Sequence, residues 1–174
     1  MTKAAATHYC RIIAQQTGRN IAVLRLYSVF GPYEDPTRLV PRLIITGLDG
    51  RLPPLVDPLI GRDFIYIDDV YRAFILLASQ PGLEPGAIYN LGSGVQITIR
   101  QAVEVTRRLL RIEAEPVWGS MPDRTWDTHI WLSNPSKLKQ QTGWKVNYSF
   151  ETGLQATLDW FVHNRPLISF YKDI

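Results

Sequence analysis

The chain has 174 residues, 45% of them apolar and 11% aromatic, a balance that suits a globular protein with a sizeable core and argues against disorder. With 19 basic and 16 acidic residues the formal charge is +3, an ordinary solvated surface at this length, so no nucleic acid is expected as a partner. No apolar run approaches the ~20 residues of a membrane span, and the N-terminus lacks the basic-then-apolar order of a signal peptide, so a cytoplasmic protein with no membrane partner is expected.

The first stretch, "MTKAAATHYCRIIAQQTGRN", enters a helix with no cap and no lead-in. Tyr9, Ile12 and Ile13 recur at helical spacing, and Gly18 stands where a left-handed residue would stop the helix. Cys10 lies inside this pattern and is read as a buried thiol rather than a nucleophile. Ile21 to Tyr27, "IAVLRLY", is β-rich, mostly apolar and short, which predicts a buried strand of the parallel-sheet kind, ended by Gly31-Pro32. After the polar "YEDPT" a second helix is expected near Arg38 to Leu48, closed by Gly47 and Gly50. "RDFIYI" reads as one strand, with Asp68 as the cap of the helix "DVYRAFILLAS". That helix is apolar almost all round through Val70, Ala73, Phe74, Leu76 and Leu77, as for one packed on a sheet.

"AIYNLGS" follows as a short strand, and Thr98-Ile99-Arg100-Gln101 has the form of a capping box that opens a helix over 99–111, with Ala102, Val105 and Leu109 as its seam. Asn134-Pro135 supplies a cap and a proline at the first helical position, so a short helix through Leu138 to Gln141 is expected before Gly143. Phe150, Leu154, Leu158, Phe161 and Val162 form the clearest amphipathic stripe, in a last helix that runs to about Asn164. This alternation of strands and helices predicts an α/β fold.

Several stretches could carry chemistry. "NLGSG" at 90–94 resembles a phosphate loop but lacks the G-x-G-x-x-G spacing and a following Lys-Ser/Thr, which favours a plain turn. In "GRDFIYIDD", Arg62 could grip a phosphate through its planar fork, although an arginine beside Asp63 is more often a surface pair. "PDRTWDTHIW" gathers Arg124, Trp126, Asp127 and Trp131, which suits a nucleotide or sugar about as well as it suits core packing. His8, His129 and His163 share no ligand spacing, so no metal is expected.

The order "KAAATHYC", "LRLYSVFGP", "GRDFIYIDDV", "IYNLGSG" and "SNPSKLKQQTGWKVNYSFETGL", then a Trp-Phe helix, strongly resembles the C-terminal half of the extended short-chain dehydrogenases, the NAD-dependent nucleotide-sugar epimerases and dehydratases. The resemblance covers nearly the whole chain. It implies the C-terminal part of a Rossmann-type fold: residual Rossmann elements over 1–34 and 63–80, and a small substrate-binding domain over 35–62 and 81–174. It also implies NAD or NADP as cofactor, a nucleoside-diphosphate sugar as substrate, and hydride transfer on the sugar ring, hence isomerase, lyase or oxidoreductase chemistry.

In that family a Tyr-x-x-x-Lys pair supplies the base, because a phenol that titrates near ~10 needs a nearby cation to act at neutral pH. Lys3 falls on the lysine of this motif and is expected to be catalytic and to hold the nicotinamide ribose. The tyrosine would fall four residues before Lys3, ahead of Met1, and the glycine-rich cofactor loop further upstream. The expectation is therefore a fragment, from truncation or a misassigned start, that neither catalyses nor binds NAD by itself. A non-catalytic nucleotide-sugar module and a structural or interaction remnant are the alternatives. The resemblance further implies that Arg62 and Arg124 clamp the diphosphate, that Asp127 touches the ribose or base, that Leu55 in "PPLVD" lines the base pocket, and that Tyr27 faces the nicotinamide. Ser28, at the substrate, is a departure: many relatives have Asn there, whose amide reaches the substrate, and the serine hydroxyl is shorter. A strand such as "IAVLRLY" without its neighbours is an adhesive edge, so a homo-oligomer or association through the exposed Rossmann edge is expected.

Overall fold

The computed structural model describes residues 2–121 and 128–172. Helix α1 (Thr2–Thr17) ends at Gly18, whose φ of 64° is the left-handed turn the sequence predicts. Its apolar residues do not form a buried face: Tyr9 is 67% exposed and Ile12 51%, while Thr7 and Ala14 point inward. Cys10 is half-buried rather than enclosed.

The segment "IAVLRLY" is the first half of a bent strand. β1 (Val23–Leu26) runs parallel to β5 (Ile88–Leu91), with Leu26 opposite Leu91. Past Tyr27 the chain changes neighbour, and β2 (Ser28–Phe30) runs parallel to β4 (Phe64–Tyr66). Two successive N–H groups set the change: Tyr27 donates to the Leu91 carbonyl at 3.1 Å, and Ser28 to the Asp63 carbonyl at 3.0 Å. The strand is not buried as its apolar run suggests, since Arg25 and Leu26 are exposed. Among the described residues β5 is the one strand beside β1, which leaves a flank open.

α2 (Leu39–Gly47) falls where expected and buries Val40, Leu43, Ile44 and Ile45. "RDFIYI" is not one strand. β3 (Gly61–Arg62) turns away to pair antiparallel with β6 (Ile97–Thr98), and β4 begins only after Asp63. α3 (Ile67–Ser79) has Tyr66 as its N-cap with no side-chain bond, so the expected Asp68 cap is absent: Asp68 is the second helical residue, exposed, where it can only complement the helix dipole. The helix is also less enclosed than its composition suggests. Val70, Ala73 and Leu77 are buried, whereas Tyr71, Phe74 and Ile75 are exposed.

α4 (Ile99–Leu110) carries both halves of the predicted capping box: the Gln101 N–H donates to Thr98 Oγ1 at 3.2 Å, and the Thr98 N–H to Gln101 Oε1 at 2.8 Å. α5 (Ser136–Thr142) starts one residue later than expected: Pro135, expected at the first helical position, is the N-cap and makes no side-chain cap bond, while the Asn134 side chain accepts the Ser136 N–H at 3.0 Å, and the helix stops at left-handed Gly143. α6 (Phe150–His163) starts on the Ser149 hydroxyl and buries Phe150, Leu154 and Phe161; Val162 lies off that stripe, 44% exposed. A further helix, α7 (Pro166–Lys172), follows the expected end and sets Tyr171 against Phe161, ring centroids 4.8 Å apart.

β4 divides the core. Phe64 and Tyr66 point to a cluster with Phe30, Phe150, Leu154 and Phe161, while Ile65 points to another with Val70, Tyr89, Leu138 and Trp144, as the two-residue period of a strand requires. Each such side chain contributes roughly 1.5–3 kcal/mol by leaving water. Leu43, Leu55, Ile60, Ile99 and Val103 make a third cluster under α2 and α4. No helix among the described residues is long and apolar enough to cross a membrane.

Candidate functional site

Ligands of open α/β sheets sit outside the carboxyl ends of the strands, where neighbouring strands diverge. Here that place is Tyr27, at which β1 and β5 end and the chain passes to β4. The Tyr27 ring is half-buried and meets the Trp131 ring at 5.9 Å, tilted by 57°. Trp131 is 48% exposed, so one part of its indole faces Tyr27 and another faces solvent.

Trp131 arrives on a strap, residues 128–133, that crosses the start of β3. Arg62 donates through Nη1 to the Thr128 carbonyl at 3.0 Å and to the Gly61 carbonyl at 2.8 Å; the Gly61 N–H donates to the His129 carbonyl at 2.9 Å. The strap ends at Ser133, which is buried and donates to Asp63 through its N–H at 2.9 Å and through its hydroxyl. Asp63 itself has no exposed surface. Its other oxygen accepts the Ser93 N–H at 2.7 Å and the Ser93 hydroxyl at 2.6 Å, and the Gly94 N–H reaches Oδ2 at 3.0 Å. An ionised carboxylate only accepts, which suits donors converging from two loops. This also explains "NLGSG". Gly94 has φ 79°, as a turn glycine should, but Gly92 is needed for space: a β-carbon there would lie 2.7 Å from Asp63 Oδ2.

Of the residues singled out from the sequence, Tyr27 meets Trp131, Ser28 bonds the Asp63 carbonyl, and Arg62 bonds the strap that carries Trp131. The reading of Arg62 and Asp63 as a surface pair is overturned, because Asp63 is buried and its carboxylate is taken by Ser93, Gly94 and Ser133. Leu55 stands in a separate wall, 1% exposed within the third core cluster, its N–H accepted by Ser120 Oγ at 3.0 Å and its carbonyl bonded by the Met121 N–H at 3.2 Å. Trp118, packed against that cluster, carries the Arg100 guanidinium over its ring at 5.5 Å. Lys3 is exposed on the first turn of α1. Arg124, Trp126 and Asp127 lie outside the described residues.

Asp63, Ser133 and Asp69 were not found from the sequence. Asp69, fully buried in the first turn of α3, accepts the Asn147 and Tyr148 N–H groups at 3.0 Å, and its carbonyl accepts Trp144 Nε1 at 3.0 Å. The one available signal was placement, since each aspartate abuts an apolar strand or helix start where a solvated side chain is unexpected. Tyr66 is no stand-in for a phenolic base: burial, aided by the Asp68 and Tyr148 charges, pushes its hydroxyl up to about 12. Two cavities lie elsewhere, one of about 580 Å³ between α3 and Trp144, the other of about 310 Å³ beside Arg42, Arg51 and Lys172.

Residues 1–92 match the model of the NAD dependent epimerase/dehydratase family. A UDP-glucuronate 4-epimerase of Thermodesulfobacterium geofontis is 31% identical over 157 residues, covering 89% of this chain and 47% of the relative. Among solved structures, the UDP-glucose 4-epimerase of Thermotoga maritima with UDP-glucose superposes with a TM-score of 0.83 at 28% identity, covering 94% of this chain and 52% of that one. The dTDP-glucose 4,6-dehydratase of Bacillus anthracis in complex with NAD gives 0.81 at 27% identity, covering 94% and 51%. The chain thus spans about half the length of the curated relatives it matches. With the parallel strands, the fork at Tyr27 and the family match in agreement, this chain belongs to the NAD dependent epimerase/dehydratase family.

Proposed function

We propose that this chain is the substrate-binding portion of an NAD(P)-dependent nucleoside-diphosphate-sugar epimerase or dehydratase. The observation that carries the reading is the corner where the strand changes partner: Tyr27 lies against Trp131, Ser28 bonds the Asp63 carbonyl, and Arg62, next to Asp63, bonds the Thr128 carbonyl of the strap that carries Trp131. A guanidinium with a planar fork suits a diphosphate, and aromatic faces suit a base or sugar ring. Residues 1–34 and 63–80 are the Rossmann part, to which β5 adds a strand, and 35–62 with the remainder of 81–174 hold the substrate. Arg124 and Asp127 join Arg62 at the diphosphate and ribose, and Leu55 backs the base.

NAD, when bound, accepts and returns the hydride. Lys3 would hold its ribose with an ammonium donor and lower the pKa of a tyrosine phenol four residues earlier on the same helical face. Binding of the nucleotide sugar is the part of that chemistry that the described residues support, through Arg62 and the Tyr27–Trp131 pair. Calorimetry with UDP-glucose, UDP-glucuronate and dTDP-glucose tests the binding. Arg62→Ala should weaken any complex by at least tenfold, in line with about 1.5–3 kcal/mol for charge-assisted hydrogen bonds. Equal affinity of the variant would refute the clamp.

A further inference from the structure

We infer that Asp63 is a positioning residue of the nucleotide-sugar site: its buried carboxylate holds the 128–133 strap against the β3–β4 corner and so places Trp131 on Tyr27 and Thr128 on Arg62. The argument is one of connectivity. Asp63 lies between Arg62 and the first residue of β4, and its carbonyl takes the Ser28 N–H, so backbone and side chain together join the strand fork to two loops. Oδ2 accepts from Ser133 and Gly94, and Oδ1 accepts twice from Ser93. Among the described residues Ser133 anchors the strap on the far side of Trp131; the near end is held at Thr128 and His129 by Arg62 and Gly61. Trp131 therefore sits between two anchors, and the Asp63 anchor is the one made by a buried charge-bearing group. Gly92, with no room for a β-carbon beside Asp63 and Ser133, shows how closely the two loops are drawn in.

The functional half of this inference rests on the nucleotide-sugar reading above; the positioning half does not. Asp69 provides a matched control. It too is fully buried and bonded to backbone N–H groups, with Arg72 Nη1 also at 3.4 Å, but at the other end of β4, where it holds 144–148 to α3. Asp63→Asn would turn an N–H₂ toward groups that donate, and Asp69→Asn would do the same at its own site. In the full chain labelled with 5-fluorotryptophan, with the Trp131 fluorine resonance assigned through Trp131→Phe, Asp63→Asn should move that resonance and lower UDP affinity by 10- to 100-fold. Asp69→Asn, at a comparable loss of melting temperature, should leave both as in the parent. An unmoved Trp131 resonance in Asp63→Asn, or equal movement in both variants, would overturn the inference. Should Asp63→Asn fail to fold, Ser133→Ala keeps the carboxylate and removes one donor; it should shift Trp131 in the same direction, and no shift would again overturn it. If the parent chain binds no UDP compound, the substrate reading falls while the fluorine comparison still decides the positioning.

Discussion

Glu34 enters the loop after Gly31-Pro32 with its side chain only 14% exposed, and among the described residues its Oε2 finds no partner. Burial pushes this carboxyl up to about 7, only partly offset by Arg38, whose Nε lies 3.7 Å from Oε1. A raised carboxyl favours the protonated folded state. Its contribution to stability is therefore whole below the ordinary value of 4.5 and is lost as pH rises through about 7. With about 1.36 kcal/mol per unit, the loss approaches about 3 kcal/mol. Glu34→Gln should match the parent in thermal unfolding near pH 5 and exceed it at pH 8; melting curves that stay parallel across that range would remove the assignment. The neighbouring loop residue Tyr33, at φ 63°, is exposed and rests its ring on Trp160 at 4.9 Å, so the same loop holds one strained and one desolvated residue.

At the scale of elements, the legible signals were those completed within one turn. The Thr98 capping box and Gly143 after α5 are read within four residues, and both form, while Asn134 bonds the Ser136 N–H from one residue before the cap. Thr98→Ala removes an acceptor at the start of α4 and should cost about 1 kcal/mol, seen as roughly 2–4 °C in melting temperature. No change would mean that α4 is held by its buried Ala102 and Val103 alone. The signals that failed depend on neighbours far along the chain. "RDFIYI" breaks in two because β6 and β2 claim its halves, and Asp68 cannot cap because α3 starts one residue before it. α7 escaped notice because seven residues led by a proline offer too few turns to reveal a period.

Across the whole molecule, apolar side chains are left uncovered on the elements nearest the fork. Tyr9 and Ile12 of α1, Leu26 of β1, and Tyr71, Phe74 and Ile75 of α3 are each more than two-fifths exposed. Such surface favours association. The chain should sediment as a concentration-dependent oligomer, and Ile12→Glu with Phe74→Glu should shift it toward monomer. A parent that stays monomeric at tens of micromolar would show that these faces do not attract one another.

The sequence by itself determined the alternation of strands and helices, most helix ends, and the order of motifs that places the chain in its family, because each of these is written in residues close together. It also pointed to Tyr27, Ser28 and Arg62. Tertiary structure alone decided that Tyr27 faces Trp131 and Arg62 bonds the strap that carries it, that the strand changes partner at Tyr27, and that Asp63 and Asp69 are buried acceptors rather than surface charges. Asp63 bonds to residues 30 and 70 positions away, and Asp69 to residues 78 and 79 away. A carboxylate gives up water only where folding brings enough donors to it, and no local pattern records which distant donors those will be.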